Sequence, residues 1–140
     1  MRISKIFVTV DTVIFKKSGD SYSILFIKRK NEPFKDLWAL PGGFVDENED
    51  LETAAKRELL EETNINVEQL EQLGAYGKPF RDPRQHTVTI VYAGYVSEDI
   101  QAIAADDAKE AEWFLINNLP ELAFDHNEIV KDVLKKYNLL

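Results

Sequence analysis

The sequence predicts a layered domain of the mixed α/β (α+β) class, with strands interrupted by two helices. Three observations carry that expectation. Runs of β-branched and aromatic residues recur along the chain, a glutamate-rich segment repeats apolar residues at helical spacing, and a second helical pattern closes the sequence. A length of 140 residues suits a single domain spanning 1–140, large enough for a core without staples.

Lys5 to Phe15 and Ser23 to Lys28 are the first two β-rich runs, and Ser18-Gly19-Asp20 between them signals a hairpin turn. Trp38-Ala39-Leu40 is a short extended stretch, and Pro41-Gly42-Gly43 is expected to break the chain before the first helix. In that helix Leu51, Ala54, Ala55 and Leu59 supply the apolar face. Gln72 to Gly77 and Thr87 to Val96 read as further strands, with a short one at Glu112 to Leu115. The last helix is expected to begin at Asp125 as its N-cap, with Glu128 at the capping-box distance. Ile129, Val133, Leu134 and Tyr137 form its buried stripe. There is no repeat, low-complexity tract or linker.

Composition excludes several chemistries. With no cysteine, disulfides and thiolate sites are ruled out, and two histidines, His86 and His126, leave little for a histidine-rich metal site. A net charge of -8 argues against sequence-independent binding to nucleic acid or an anionic membrane surface. No apolar run is long enough to span a membrane, and the N-terminal apolar stretch is cut off by Asp11, so the cytoplasm is the expected location. Such an acidic protein would receive an anionic substrate through metal ions or local arginines.

The most informative stretch runs from Gly43 to Ile65. Glu58, Glu61 and Glu62 stand three and four apart on a helix, so their carboxylates share one small volume. In a cleft of effective dielectric near 20, two such charges about 6 Å apart repel by roughly 3 kcal/mol. A cation would relieve that repulsion, and oxygen-only ligands favour Mg²⁺ or Mn²⁺ over zinc.

The spacing within this stretch is glycine, five residues, Glu49, seven residues, then Arg57-Glu58-Leu59-Leu60-Glu61-Glu62-Thr63-Asn64-Ile65. It resembles the Nudix box, G-x5-E-x7-R-E-U-x-E-E-x-G-U, with one departure: Asn64 stands where the family has glycine. That position is expected to end the helix in a left-handed conformation, which asparagine tolerates next best. The resemblance implies a Nudix fold, an α/β/α sandwich around a mixed β-sheet. It also implies Mg²⁺- or Mn²⁺-dependent hydrolysis of a nucleoside diphosphate derivative. By the same resemblance Glu58 and Glu62 would be the main metal ligands, Glu61 a further ligand or the catalytic base, and the Gly42 carbonyl would complete the site. Glu49 and Arg57 would form an internal salt bridge, with an Arg57–Glu61 pair as the competing arrangement. A further acid from the loop Ala104 to Glu110 is expected to join the catalytic set, Asp107 first, then Glu110 and Asp106.

Outside the box, Trp38 to Val45, Arg81-Asp82-Pro83-Arg84 and Leu122-Ala123-Phe124-Asp125-His126 resemble the ADP-ribose pyrophosphatase branch. Related Nudix enzymes and ADP-ribose-sensing regulators share these motifs. Arg81 and Arg84 flank a stiff proline and are candidates to grip phosphate in a bidentate way, with Arg29 as a third. Trp38, Phe34, Phe80 and Phe124 are candidates to stack on adenine. His126, one step into the last helix, reads as a surface or capping residue. The leading expectation is cleavage of ADP-ribose to AMP and ribose 5-phosphate, with a small-molecule nucleotide as partner and a homodimer allowed by analogy. Two alternatives stand beside it: another nucleoside diphosphate derivative as substrate, and a domain that binds ADP-ribose without cutting it.

Overall fold

The computed structural model describes residues 1–140. The elements in chain order are β1 (Phe7–Ser18), β2 (Ser21–Arg29), β3 (Trp38–Ala39), β4 (Gly42–Phe44) and α1 (Leu51–Thr63). They continue with β5 (Glu71–Tyr76), β6 (Thr87–Val96), β7 (Ala108–Leu115) and α2 (His126–Lys136). The strands form one mixed sheet with the path β3-β2-β1-β6-β5, to which β4 adds on β1 and β7 on β2. Only β1 and β6 run parallel, over a register from Phe7↔Thr87 to Lys16↔Val96.

Side chains of a strand alternate between faces, and here both faces are covered. Val13 and Phe15 of β1, with Ile24 and Phe26 of β2, pack against Ile129, Val130, Val133 and Leu134 of α2. Ile14 and Leu25 take the other face, against Leu59 of α1, while Val10 meets Ala54 and Ala55. The result is the α/β/α sandwich. No helix is long and apolar enough to cross a membrane.

The hairpin closes through Gly19 at φ 62°, and both of its strands run further than their β-rich cores. Asp50 caps the start of α1 by accepting the Glu52 N–H at 3.2 Å. Asn64 ends it at φ 61°, its N–H donating to the Leu60 carbonyl at 2.9 Å, the left-handed terminator that the sequence called for.

Two local expectations are corrected. Gly42 and Gly43 do not break the chain; they form β4 with Phe44 and pair with Val10 and Asp11 of β1. A Cβ on Gly42 would lie 2.1 Å from the Val10 carbonyl oxygen, so only glycine fits a strand lying this close to its neighbour. At α2 the Asp125 side chain makes no capping hydrogen bond, because Arg81 holds it instead.

β1 hydrogen-bonds β2 only over Phe15–Ser18, and nearer its start the same edge pairs with β4. The two long strands therefore diverge. The cleft opens where they part.

Candidate active site

A cleft of about 300 Å³ lies between the diverging strands, α1, the Arg81–Arg84 turn and the start of α2. That volume is at the small end of ligand-binding cavities. Its lining includes the acids Glu58, Glu62 and Asp107 and the bases Arg29, Lys30 and Arg84. Asp11 and His126, both buried, also line it.

The acids on and before α1 are organised by Arg57. Its guanidinium grips Glu49 in a bidentate way (Nε–Oε2 2.6 Å, Nη2–Oε1 2.9 Å) and also donates to the Phe44 carbonyl at 3.1 Å. It reaches Glu58 at 3.0 Å and Glu61 at 3.2 Å as well, so both competing pairings of Arg57 coexist. Hydrogen bonds from Arg57, then from the Asp46 N–H, hold the Glu49 carboxyl down at about 2. This hub ties the loop before α1 to the helix and fixes its rotation.

Glu62 is buried, at 4% exposure, and accepts the Gly42 N–H at 2.9 Å. Burial pushes its pKa up to about 9, against the opposing effect of that hydrogen bond, and the charges of Glu58, Asp11 and Asp107 push the same way. Glu58 is raised too, again chiefly by burial. The two acids press on the glycine strand: a Cβ on Gly43 would sit 2.5–2.6 Å from the Glu58 carboxyl atoms. Buried carboxylates of raised pKa, all oxygen donors, fit a hard divalent cation that would supply the missing positive charge. No three acidic or histidine side chains already stand in ligating array. Glu58 and Glu61 are engaged by Arg57, so their carboxylates would turn toward a cation on binding it.

Of the acids in the late loop, Asp107 lines the cleft. Its position is held by Lys30, whose N–H donates to the Asp107 carbonyl and whose Nζ donates to the Asp106 carbonyl, each at 3.3 Å. The Ala105 N–H also donates to the Glu62 carbonyl at 3.1 Å, docking the loop on the end of α1. Glu110 pairs with Lys28 at 3.4 Å, and Asp106 does not line the cleft. Glu61 lies outside the cleft lining, with 41% of its side chain exposed.

The structure separates two arginines that the sequence offered as equals. Arg81 has a 5% exposed side chain and is committed to Asp125 through bonds of 2.9 and 2.6 Å. Arg84 is 39% exposed and pairs with buried Asp82 at 2.8 and 3.1 Å. Burial alone would raise Asp82, but these bonds from Arg84 outweigh it and lower its pKa. Arg29 and Arg84 share the Phe124 ring, their guanidinium carbons 4.9 and 5.9 Å from its centroid. Arg29 is lowered by burial and then by the like charge of Arg84. Two guanidiniums that repel one another in a cleft are completed by an anion. Phe124 itself sits at φ 54°, a conformation costly for an aromatic residue and concentrated at binding sites.

The remaining aromatics lie elsewhere. Trp38 does not line the cleft; its ring packs edge-on against Phe114 at 4.9 Å, under Lys28. Phe80 projects outward at 91% exposure, and Phe34 backs Phe124 from outside the lining at 4.8 Å. The reading of His126 as a surface or capping residue is overturned. It is 4% exposed, because its place at the first turn of α2 points it into the sheet, and its Nδ1 accepts the Leu40 N–H at 3.0 Å. Asp11 went unrecognised as a site residue. It is buried on β1, accepts the Thr89 hydroxyl at 2.5 Å, and is raised by burial to about 7. Its signal was a lone acid within a run of apolar strand residues.

A mixed sheet sandwiched by helices, with an acid-lined cleft beside a glycine strand and a glutamate-rich helix, defines the architecture. The chain belongs to the Nudix family: the NUDIX domain model matches residues 5–136. An ADP-ribose pyrophosphatase of Methanocaldococcus jannaschii is 48% identical over 132 residues, covering 94% of this chain and 75% of that protein. The NUDIX domain of Shewanella oneidensis NrtR, solved with ADP ribose, superposes with a TM-score of 0.90 at 32% identity, over 96% of this chain and 90% of that one. A bifunctional NMN adenylyltransferase/ADP ribose pyrophosphatase from Francisella tularensis, solved with AMP and a manganese ion, gives a TM-score of 0.81 at 32% identity. That match covers 97% of this chain and 43% of the larger enzyme.

Proposed function

We propose that this protein hydrolyses ADP-ribose to AMP and ribose 5-phosphate with the help of Mg²⁺ or Mn²⁺. The observation that carries the proposal is the meeting, in one cleft, of Glu58, Glu62 and Asp107 with Arg29 and Arg84. A pyrophosphate diester needs both groups: guanidiniums for its fixed charge and a carboxylate-held cation at the bond to be cut. The likeness to the M. jannaschii ADP-ribose pyrophosphatase supports ADP-ribose as the substrate.

Glu58, Glu62 and the Gly42 carbonyl would hold the cation, with Glu61 as a further ligand once released from Arg57. When bound, such a cation neutralises pyrophosphate charge and acidifies water. Asp107, already in the cleft, takes the proton of the attacking water; Glu61 could do so only by leaving Arg57. Water adds its oxygen to one phosphorus, the bridging P–O bond breaks, and the second phosphate leaves on the bridging oxygen. Arg29 and Arg84 orient the phosphates; the Pro33 carbonyl holds Arg29 and Asp82 holds Arg84, beside the Phe124 ring that both approach. Phe44, partly exposed at the cleft, and Phe124 are the aromatic surfaces on offer to the adenine.

The test is a comparison of kcat/KM for ADP-ribose, NADH, diadenosine polyphosphates and 8-oxo-dGTP with Mg²⁺. ADP-ribose should lead by at least about tenfold, the effect of one well-placed contact of roughly 1.4 kcal/mol. Preference for another substrate would move the assignment elsewhere in the family. Saturable ADP-ribose binding without turnover would identify a sensor.

A further inference from the structure

His126 and Asp11 are 115 positions apart, yet both are buried and face each other at the floor of the cleft, His126 Nε2 lying 3.6 Å from Asp11 Oδ1. We infer that His126 is a positioning residue: by accepting the Leu40 N–H it fixes the Leu40–Pro41–Gly42 segment, and with it the Gly42 N–H that holds Glu62. This inference rests on the hydrolase reading above for its catalytic consequence, but not for its geometry.

The segment has few ways to be held. Pro41 has no N–H, so its only backbone handle is a carbonyl, which accepts the Thr12 N–H at 2.9 Å and the Thr12 hydroxyl at 3.1 Å. Two donors remain. The Gly42 N–H goes to Glu62 Oε1 at 2.9 Å, and the Leu40 N–H goes to His126 Nδ1 at 3.0 Å. Leu40 is 2% exposed, so removing its acceptor would strand a buried donor, and the segment would shift to find another. A shift at Leu40 is passed two residues on to the amide that orients Glu62.

An accepting Nδ1 requires that the neutral ring carry its proton on Nε2. Burial drives the His126 pKa down to about 3, which keeps the ring neutral. The Nε2–H then faces Asp11 Oδ1, while Asp11 Oδ2 accepts from Thr89. Asp11 completes the support from the other side: a Cβ on Gly42 would fall 2.6 Å from Asp11 Oδ1, so the carboxyl packs directly on the Gly42 backbone.

Docking of α2 does not need this histidine. Ile129, Val130, Val133 and Leu134 already bury the helix, Asp125 ties its start to Arg81, and the Ala123 N–H bonds the Trp38 carbonyl at 2.8 Å. What His126 alone supplies is the acceptor for Leu40.

The experiment compares wild type with His126→Leu, His126→Asn and His126→Gln. Asparagine can place an acceptor where Nδ1 was; glutamine places one where Nε2 was; leucine places none. Mn²⁺ affinity, kcat and KM for ADP-ribose, and Tm are measured for each. His126→Leu and His126→Gln should lose about tenfold or more in both Mn²⁺ affinity and kcat, with KM changed less, and His126→Asn should recover most of that loss. Wild-type Mn²⁺ affinity and kcat in His126→Leu would overturn the inference, as would His126→Asn performing no better than His126→Gln. If variants fail to fold, the ring ¹⁵N shifts of the wild-type protein decide: an unprotonated Nδ1 supports the inference and a protonated Nδ1 overturns it. A wild type that binds Mn²⁺ but releases no AMP would defeat the hydrolase reading, while the affinity order and ring shifts would still judge the positioning role.

Discussion

Gly43 and Glu58 are in close contact: a Cβ at Gly43 would lie 2.5–2.6 Å from the Glu58 carboxyl carbon and oxygens, so that carboxyl would have to move for any side chain to fit. The adjacent glycine is constrained differently. At Gly42 the obstacle is the Val10 carbonyl oxygen at 2.1 Å, which belongs to the backbone of a central strand. A flexible glutamate tip can move aside cheaply, whereas a paired strand cannot.

The two alanine variants should therefore fail in different ways. Gly43→Ala should fold with a Tm within a few degrees of wild type but lose about 10- to 100-fold in kcat/KM, because it displaces Glu58, a proposed metal ligand. Gly42→Ala should instead lose stability, by roughly 1–3 kcal/mol or more. Thermal melts beside steady-state kinetics separate the two. Normal activity in Gly43→Ala would remove Glu58 from the proposed ligand set.

Stability in the absence of metal should depend on pH in a defined direction. Burial raises Glu62 from 4.5 to about 9 and Asp11 from 3.8 to about 7, so the folded form holds these protons more tightly than the unfolded chain. The resulting stabilisation is fully present below the unfolded values and is lost as pH rises through about 7 and then 9. In EDTA, Tm should fall between pH 5 and 9, and Glu62→Gln should flatten the upper part of that fall. Mn²⁺ at pH 8 should raise Tm in wild type and much less in Glu62→Gln. A Tm independent of pH in EDTA would show that Glu62 is not a strained buried acid.

The two arginines of the Arg81–Arg84 turn should separate as well. Arg84→Ala removes a half-exposed guanidinium from the cleft, at a loss of roughly 1.5–3 kcal/mol of charge-assisted contact, or about 10- to 100-fold in kcat/KM. Lysine at that position should restore only part of it. Arg81→Ala leaves Asp125 unpaired, and breaking such a buried pair costs about 3–5 kcal/mol of stability. An unfolded or strongly destabilised Arg84→Ala would mean that this arginine serves the fold.

Asn64 at φ 61° sets a third contrast. Asn64→Gly should be near neutral, since either residue adopts the left-handed helix end. Asn64→Val should cost roughly 1–2 kcal/mol, a few degrees in Tm. Equal melts for valine and asparagine would contradict the role of Asn64 as terminator.

Local chemistry made much of this molecule legible before its structure. The spacing from Gly43 to Ile65 located α1 and its terminator at Asn64, because each depends on neighbours in the chain, while the Arg57–Glu49 pair was implied by the resemblance to the Nudix box. The strands were legible from composition, but β4 was not, since Gly-Gly signals a break unless a partner strand lies too close for any other residue. The floor of the cleft was hidden for a related reason. His126 meets Leu40 across 86 positions, and Asp125 leaves its capping role for Arg81 across 44. Such contacts are created by topology. Trp38 was drawn toward the cleft by its motif neighbours, yet its ring joins the α2-side core, and motif membership does not say which face a strand residue takes.

The central claim is that a cation held by the α1 carboxylates is needed to cut ADP-ribose in this cleft. The most direct measurement follows AMP and ribose 5-phosphate release from ADP-ribose by wild type and Glu62→Gln, with Mg²⁺ and with EDTA. Both products should appear in equal amounts only for wild type with Mg²⁺. Activity in Glu62→Gln at or near the wild-type rate, or wild-type turnover that survives EDTA, would contradict it.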